Sequence, residues 1–200
     1  MREKFNVTGL YYEIDGFKFR KFLNITKKSS NCMIPDLMVV MMNPGGSKPL
    51  NGIDSFDEET EAIADRTQDQ IMKIMINCGF KYARVLNLSD LRESKSNLFY
   101  SKIIQLEDLG IHHSIFSDSR REEFDEVFIH GVPVIFGWGV NGHLVELADL
   151  AIKRIGNCKS FGLKKENVDY AFYHPLPQNY NKQKEWVVMI TYKLKAWSSN

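Results

Sequence analysis

Cysteine is scarce, and the way its few copies are scattered excludes two classes of protein. Only Cys32, Cys78 and Cys158 occur in 200 residues. No two of them have metal-ligand spacing, and an odd count does not build a disulfide framework. They read as reduced, buried thiols. A charge excess of either sign is also missing, since 26 Lys and Arg against 25 Asp and Glu leave +1. That is not the strongly basic profile of a dedicated nucleic-acid binder, although a local basic patch survives such averaging. No run approaches the roughly 18 apolar residues that a membrane span requires. The opening MREKFNVTGLYY has no apolar signal core, so a cytoplasmic location and no membrane partner are expected. Internal repeats, low-complexity tracts and breaks in composition are lacking too. One domain over 1–200 is expected, with an N-terminal hairpin and loop over 1–35 and an α/β core over 36–200.

What is present is a succession of short buried-type runs and amphipathic stretches. Around Asp15-Gly16 the segment LYYEIDGFKFRKFLNI alternates, and Asp-Gly between such runs predicts a β-hairpin. Residues 36–42 form a continuously apolar run, the pattern of a strand covered on both faces. Residues 55–78 read as mostly helical, with Ile63, Ile71, Ile74 and Met75 as an apolar stripe and Gly79 as C-cap. Further strands are predicted over 83–88, 132–136 and 168–173, and helices over about 118–129, 140–155 and 182–197. Residues 89–117 show no clear pattern. Alternating strands and helices predict a three-layer α/β/α sandwich with a mainly parallel central sheet.

Ligands of such sheets sit beyond the carboxyl ends of the strands. Four short texts occupy those ends: Asn43-Pro44-Gly45-Gly46, Asn87-Leu88-Ser89-Asp90, Gly137-Trp138-Gly139, and Tyr173-His174-Pro175-Leu176-Pro177. Each by itself is an ordinary turn or cap; their convergence on one rim is what marks a candidate site. Residues 137–142 match G-x-G-x-x-G after a strand and before a helix. Asp169, however, falls before or inside the next strand, not at its end where a ribose-binding acid belongs, so close strand–helix packing is the better account. Adjacent His112 and His113 diverge in an extended loop and do not make a metal pair. Lys27-Lys28 and Lys164-Lys165 read as solvated loop charges. Asp65, in or just before a helix, reads as its cap.

The four strand ends together resemble the uracil-DNA glycosylase superfamily, whose single-strand-selective and mismatch-specific branches carry Gly-x-Asn-Pro-Gly after the first core strand. Here that motif reads Met41-Met42-Asn43-Pro44-Gly45, and the terminal His-Pro-Ser-Pro reads His174-Pro175-Leu176-Pro177. Between them, Val85-Leu86-Asn87 and Phe136-Gly137-Trp138-Gly139 match in order across 36–180. A nearer resemblance is to an uncharacterised bacterial domain family with an Asn-Pro-x strand end, an Asp-x-Thr helix start, a Val-Asn-Leu strand, a Trp-Gly turn and a His-Pro-Leu ending. Asp65-Arg66-Thr67, Asn87-Leu88, Trp138-Gly139 and His174-Pro175-Leu176 carry it.

The resemblance implies a nucleobase-recognising protein, a DNA glycosylase that hydrolyses the N-glycosidic bond of a flipped base. It implies a catalytic Asn43 holding the attacking water and a catalytic His174 donating to the base oxygen. Asn87 would read the base edge, Phe56 would stack on it, and Pro44, Gly45, Gly46, Trp138 and Pro175 would line the site. No metal and no cofactor are called for; the partner is DNA or a nucleobase-containing ligand. A non-catalytic nucleotide or nucleic-acid binding module, and a hydrolase of a small nucleoside-like metabolite, are the alternatives. The chain departs from the superfamily at Leu176, where a phosphate-contacting Ser stands, and at Gln178 and Asn179, where a bulky wedge belongs.

Overall fold

The computed structural model describes residues 1–198 of the chain. The chain opens with a long antiparallel hairpin, β1 (Phe5–Ile14) and β2 (Phe17–Lys27). Its two-residue turn has Asp15 at φ 50° and Gly16 at φ 79°. Both turn residues thus take the left-handed backbone that matches the strand twist, as Asp-Gly predicts. Next come β3 (Leu37–Met41), a two-residue β4 (Thr60–Glu61), α1 (Arg66–Cys78) and β5 (Tyr82–Asn87). The second half holds α2 (Ser96–Asp108), α3 (Arg121–Val127), β6 (Val134–Phe136), α4 (Val145–Ile155), β7 (Ser160–Phe161) and α5 (Tyr180–Ser198).

The seven strands form one sheet in the order β4-β1-β2-β5-β3-β6-β7. β5, β3, β6 and β7 run parallel to one another, whereas β4, β1 and β2 are joined by antiparallel pairing, which continues from β2 to β5. The protein is therefore α/β with a mixed sheet, not the mainly parallel one expected. The hairpin adds itself to the edge of the parallel set instead of standing apart from it. β3 is central and buried along its whole length, and its side chains alternate between two apolar clusters. Leu37, Val39 and Met41 pack with Ile71, Met72 and Met75 of α1 and with Trp186, Ile190 and Leu194 of α5. Met38 and Val40 belong to the cluster that holds Phe99 and Ile103 of α2, Phe124 of α3, and Leu147 and Ala151 of α4.

Three expectations are corrected. The helix predicted from residue 55 begins at Arg66, because the Asp65 carboxylate accepts from the backbone N–H groups of Thr67 and Gln68. The Gln68 side chain accepts in return from the Asp65 N–H, closing a capping box. Upstream, Thr60 and Glu61 pair with β1, and Ile63 is exposed instead of joining the stripe. The patternless segment after Asp90 contains α2, whose Phe99, Ile103 and Leu106 are buried at helical spacing. The strand expected over 168–173 is absent; Phe172 forms only single bridges to Gly139 and Lys164. Its place beside β6 is taken by β7, paired through Ser160 and Phe161. Gly162 then lets the Phe172 ring lie against bare backbone, where a Cβ would stand 2.5 Å from that ring. Among the described residues no helix is long and apolar enough to cross a membrane.

Candidate functional site

β3 and β5 end side by side, with Met41 in register with Asn87. A cavity of about 170 Å³ opens at this point, lined by Asn43, Pro44, Gly45, Asn87 and His174, and also by Arg20, Asp65, Thr67 and Gln68. Each arrives by a different local device.

The strand exit at Asn43 is held by its own side chain. The Asn43 amide nitrogen donates to the carbonyls of Leu91 at 3.2 Å and Glu93 at 2.7 Å. Both donor positions are spent on the chain that follows β5, so Asn43 offers the cavity only an acceptor oxygen. The turn that follows is closed by the Ser47 N–H on the Pro44 carbonyl. It requires Gly45 at φ 61°, a backbone that favours glycine. Gly46 faces outward; with Lys18, Lys48, Arg92 and Glu93 it borders a shallow groove of about 200 Å³ that shares Gly45 with the cavity. Arg92 staples this loop, donating from Nε to the Ser47 carbonyl at 2.6 Å and pairing with Asp54 at 2.6 Å.

His174 lies on a segment that α5 clamps at both ends. The Trp186 indole donates to the Tyr173 carbonyl and the Gln183 amide to the Pro177 carbonyl, at 2.9 and 2.7 Å. Within the segment the Leu176 N–H donates to His174 Nδ1 at 3.1 Å. Nδ1 is thereby an acceptor, so the neutral ring carries its proton on Nε2. Burial holds the imidazole below its ordinary pKa, with Asp65 acting in the opposite direction. At neutral pH this histidine is a hydrogen-bond donor without charge.

Asn87 and Arg20 form the floor, both fully buried. The Arg20 guanidinium donates to Asn87 Oδ1 at 2.8 Å and to Ser47 Oγ at 2.9 Å. Because a guanidinium only donates, it fixes the amide orientation and turns the Asn87 NH₂ away from itself. That Nδ2 has no hydrogen-bond partner, nor does Arg20 Nε. Burial pushes the Arg20 pKa down, while Tyr11, Asp65 and Asp90 act on it in the opposite direction.

The sequence-predicted residues therefore divide. Asn43, Pro44, Gly45, Asn87 and His174 meet in one cavity. Gly46 lies on the neighbouring groove, and buried Pro175 packs where a Cβ on Gly137 would stand, 3.2 Å from the proline ring. Trp138 does not reach the rim: it is 1% exposed, donates to the Tyr170 carbonyl at 2.7 Å and packs against Phe136 and Phe172. Phe56 is removed from the cavity as well. It is exposed, 6.3 Å from the Tyr12 ring, and borders a separate open groove with Tyr12, Lys21, Arg120 and Glu123. No aromatic side chain lines the cavity among the described residues.

Sequence reasoning missed Arg20 entirely, for no local signal ties the hairpin to the end of β5. It read Asp65 as a cap, which it is, but the capping position also places the carboxylate at the cavity. Among the described residues no group of three or more His, Cys, Asp or Glu could hold a metal ion. The fold and site together define an α/β protein with a small cavity at the carboxyl ends of its parallel strands, where Met41, Ile71 and Val85 line it beside the polar groups. No family model, curated protein or solved structure matches the chain.

Proposed function

We propose that this chain is a nucleobase-recognising protein of the uracil-DNA glycosylase type, a three-layer α/β/α sandwich that receives a single base in the cavity between Asn43, Asn87 and His174. The observation that carries this reading is the meeting of those three side chains in one small cavity. Each presents one defined hydrogen-bonding function: an acceptor from Asn43, a donor from Asn87 and an uncharged donor from His174. A volume of about 170 Å³ corresponds to roughly five or six waters, or one small ring, and is too small for a dinucleotide. In this reading the strand that carries the base runs along the adjoining groove, where Lys48 stands beside Lys18 and Arg92, both paired with Asp54.

In the hydrolytic form of this reading, the C1′–N bond breaks with its electron pair leaving on the base. His174 Nε2–H donates to the base oxygen that gains the charge. Water held by Asn43 Oδ1 adds to C1′, and its proton passes to Asp65, the carboxylate of the cavity. The test is base release from uracil-containing single- and double-stranded DNA by wild type, Asn43→Ala and His174→Ala. Release by the wild type that both variants lose supports the enzyme. With folded protein, retained base binding without release selects the non-catalytic module, and neither binding nor release defeats the uracil reading.

A further inference from the structure

Two buried arginines in this protein are treated differently. Arg120 is 7% exposed and pairs with Asp90 at 2.8 Å and Glu123 at 2.9 Å. Arg20 is 2% exposed and bonds to neutral side chains, Ser47 Oγ and Asn87 Oδ1, with the Tyr11 hydroxyl also acting on it. Among the described residues no carboxylate forms an ion pair with it. A buried cation without an anion is costly, and the cost falls when an anion is supplied. Arg20 lines the cavity, its Nε is buried without a partner, and so is Nδ2 of Asn87 beside it. The cavity therefore has a cationic floor with two unused donors.

We propose that the occupant of this cavity presents an anionic oxygen, of a carboxylate or a phosphoryl group, to Arg20 and Asn87. The two unused donors are the binding elements, and the charge of Arg20 strengthens their hold on an oxygen that carries negative charge. Two acids lie in the surroundings: Asp90, which is engaged by Arg120 and Tyr12, and Asp65, which belongs to the same cavity and has one carboxylate oxygen engaged by the N–H groups of Thr67 and Gln68. Asp65 disfavours an anion on the α1 side and so directs the charge of the ligand to the Arg20 side. This inference does not rest on the glycosylase reading.

The first experiment is a melting-temperature series on the whole protein with formate, inorganic phosphate and neutral uracil, at ionic strength held constant with chloride. At about ten times the dissociation constant, a binding anion raises the melting temperature by about 3–6 °C. A response to formate alone identifies a carboxylate ligand, and a response to phosphate a phosphoryl one; either supports the inference. Asn87→Asp places a carboxylate of the same shape against Arg20. It is expected to raise the melting temperature without ligand and to abolish the response to anions. The second readout is taken on the wild type: the Arg20 Nε–H resonance, assigned beforehand by its loss in Arg20→Lys, shifts on adding the responding anion. No stabilisation by formate or phosphate beyond chloride, an undiminished response in Asn87→Asp, or an Arg20 Nε–H signal unmoved at saturating anion would each overturn the proposal. A failed uracil-release assay leaves these outcomes untouched.

Discussion

Arg20 donates to the side-chain oxygen of Asn87 at 2.8 Å across 67 residues of sequence, and this one bond decides what the cavity can recognise. It turns the amide oxygen of Asn87 toward the guanidinium and leaves Nδ2 without a partner. It also joins the N-terminal hairpin to the carboxyl end of β5. Removing it by Asn87→Ala strips a buried guanidinium of one of its side-chain partners. Urea unfolding of that variant is expected to show a loss of about 2–3 kcal/mol.

Asp65 has two separable tasks. As N-cap it accepts from Thr67 and Gln68; as a carboxylate it lines the cavity. Asp65→Ala is expected to cost about 1 kcal/mol of stability, whereas Asp65→Asn, which still caps, costs a few tenths. If Asp65 takes the proton in base release, both variants lose about 100-fold in single-turnover rate while affinity for a base analogue is kept. Stability and rate measured on the same two variants separate the roles.

Acid should destabilise the fold in two stages. Burial, with Arg120 and His112 adding to it, lowers the pKa of His113 to about 4, so the folded protein keeps this ring neutral. As pH falls below the ordinary 6.5 the unfolded chain takes up a proton that the folded one refuses. Stability is therefore lost between pH 6.5 and 4. Glu123 is held at about 2 by its bonds from Arg120 and Lys21, against the opposing effect of burial. Its contribution is present above its ordinary value and disappears as pH drops toward 2. Stability-versus-pH curves should lose the His113 part of the upper stage in His113→Gln, with buried His174 keeping its own part, and the lower stage in Glu123→Gln.

Trp138 is a test of placement. Trp138→Phe removes the donor to the Tyr170 carbonyl and part of the ring stack, and should cost about 2–3 kcal/mol in denaturant. Ligand affinity of the folded variant should stay at the wild-type level, because the indole lies in the core and not at the cavity. A residue that stacked on a bound base would lose affinity instead.

Much of the site was legible because the strand ends carry distinctive chemistry. Apolar runs that stop at Asn43 and Asn87 announce parallel strands and the rim where a ligand sits, and His174 follows in a rigid proline-rich segment. Trp138 and Phe56 were misplaced for a common reason. An aromatic next to a glycine or in a polar loop looks available, and only packing shows whether the ring turns inward. α2 escaped notice because its start, at Lys95, has no side-chain cap to mark it. The strand expected over 168–173 has strand-like composition, but β7 already fills the edge beside β6.

The sequence by itself determined the Asp-Gly hairpin, the buried strands β3 and β5, the cap at Asp65 and the chemical identity of Asn43, Asn87 and His174. These are consequences of local periodicity and turn chemistry, which a short window contains. Only the tertiary structure decided that β2 lies beside β5. Antiparallel pairing of Leu23 with Val85 carries the chain back so that the Arg20 N–H reaches the Asp90 carbonyl and its guanidinium meets Asn87. Strand adjacency is a non-local property, set by which apolar faces close together. The unpaired charge in the cavity follows from that closure.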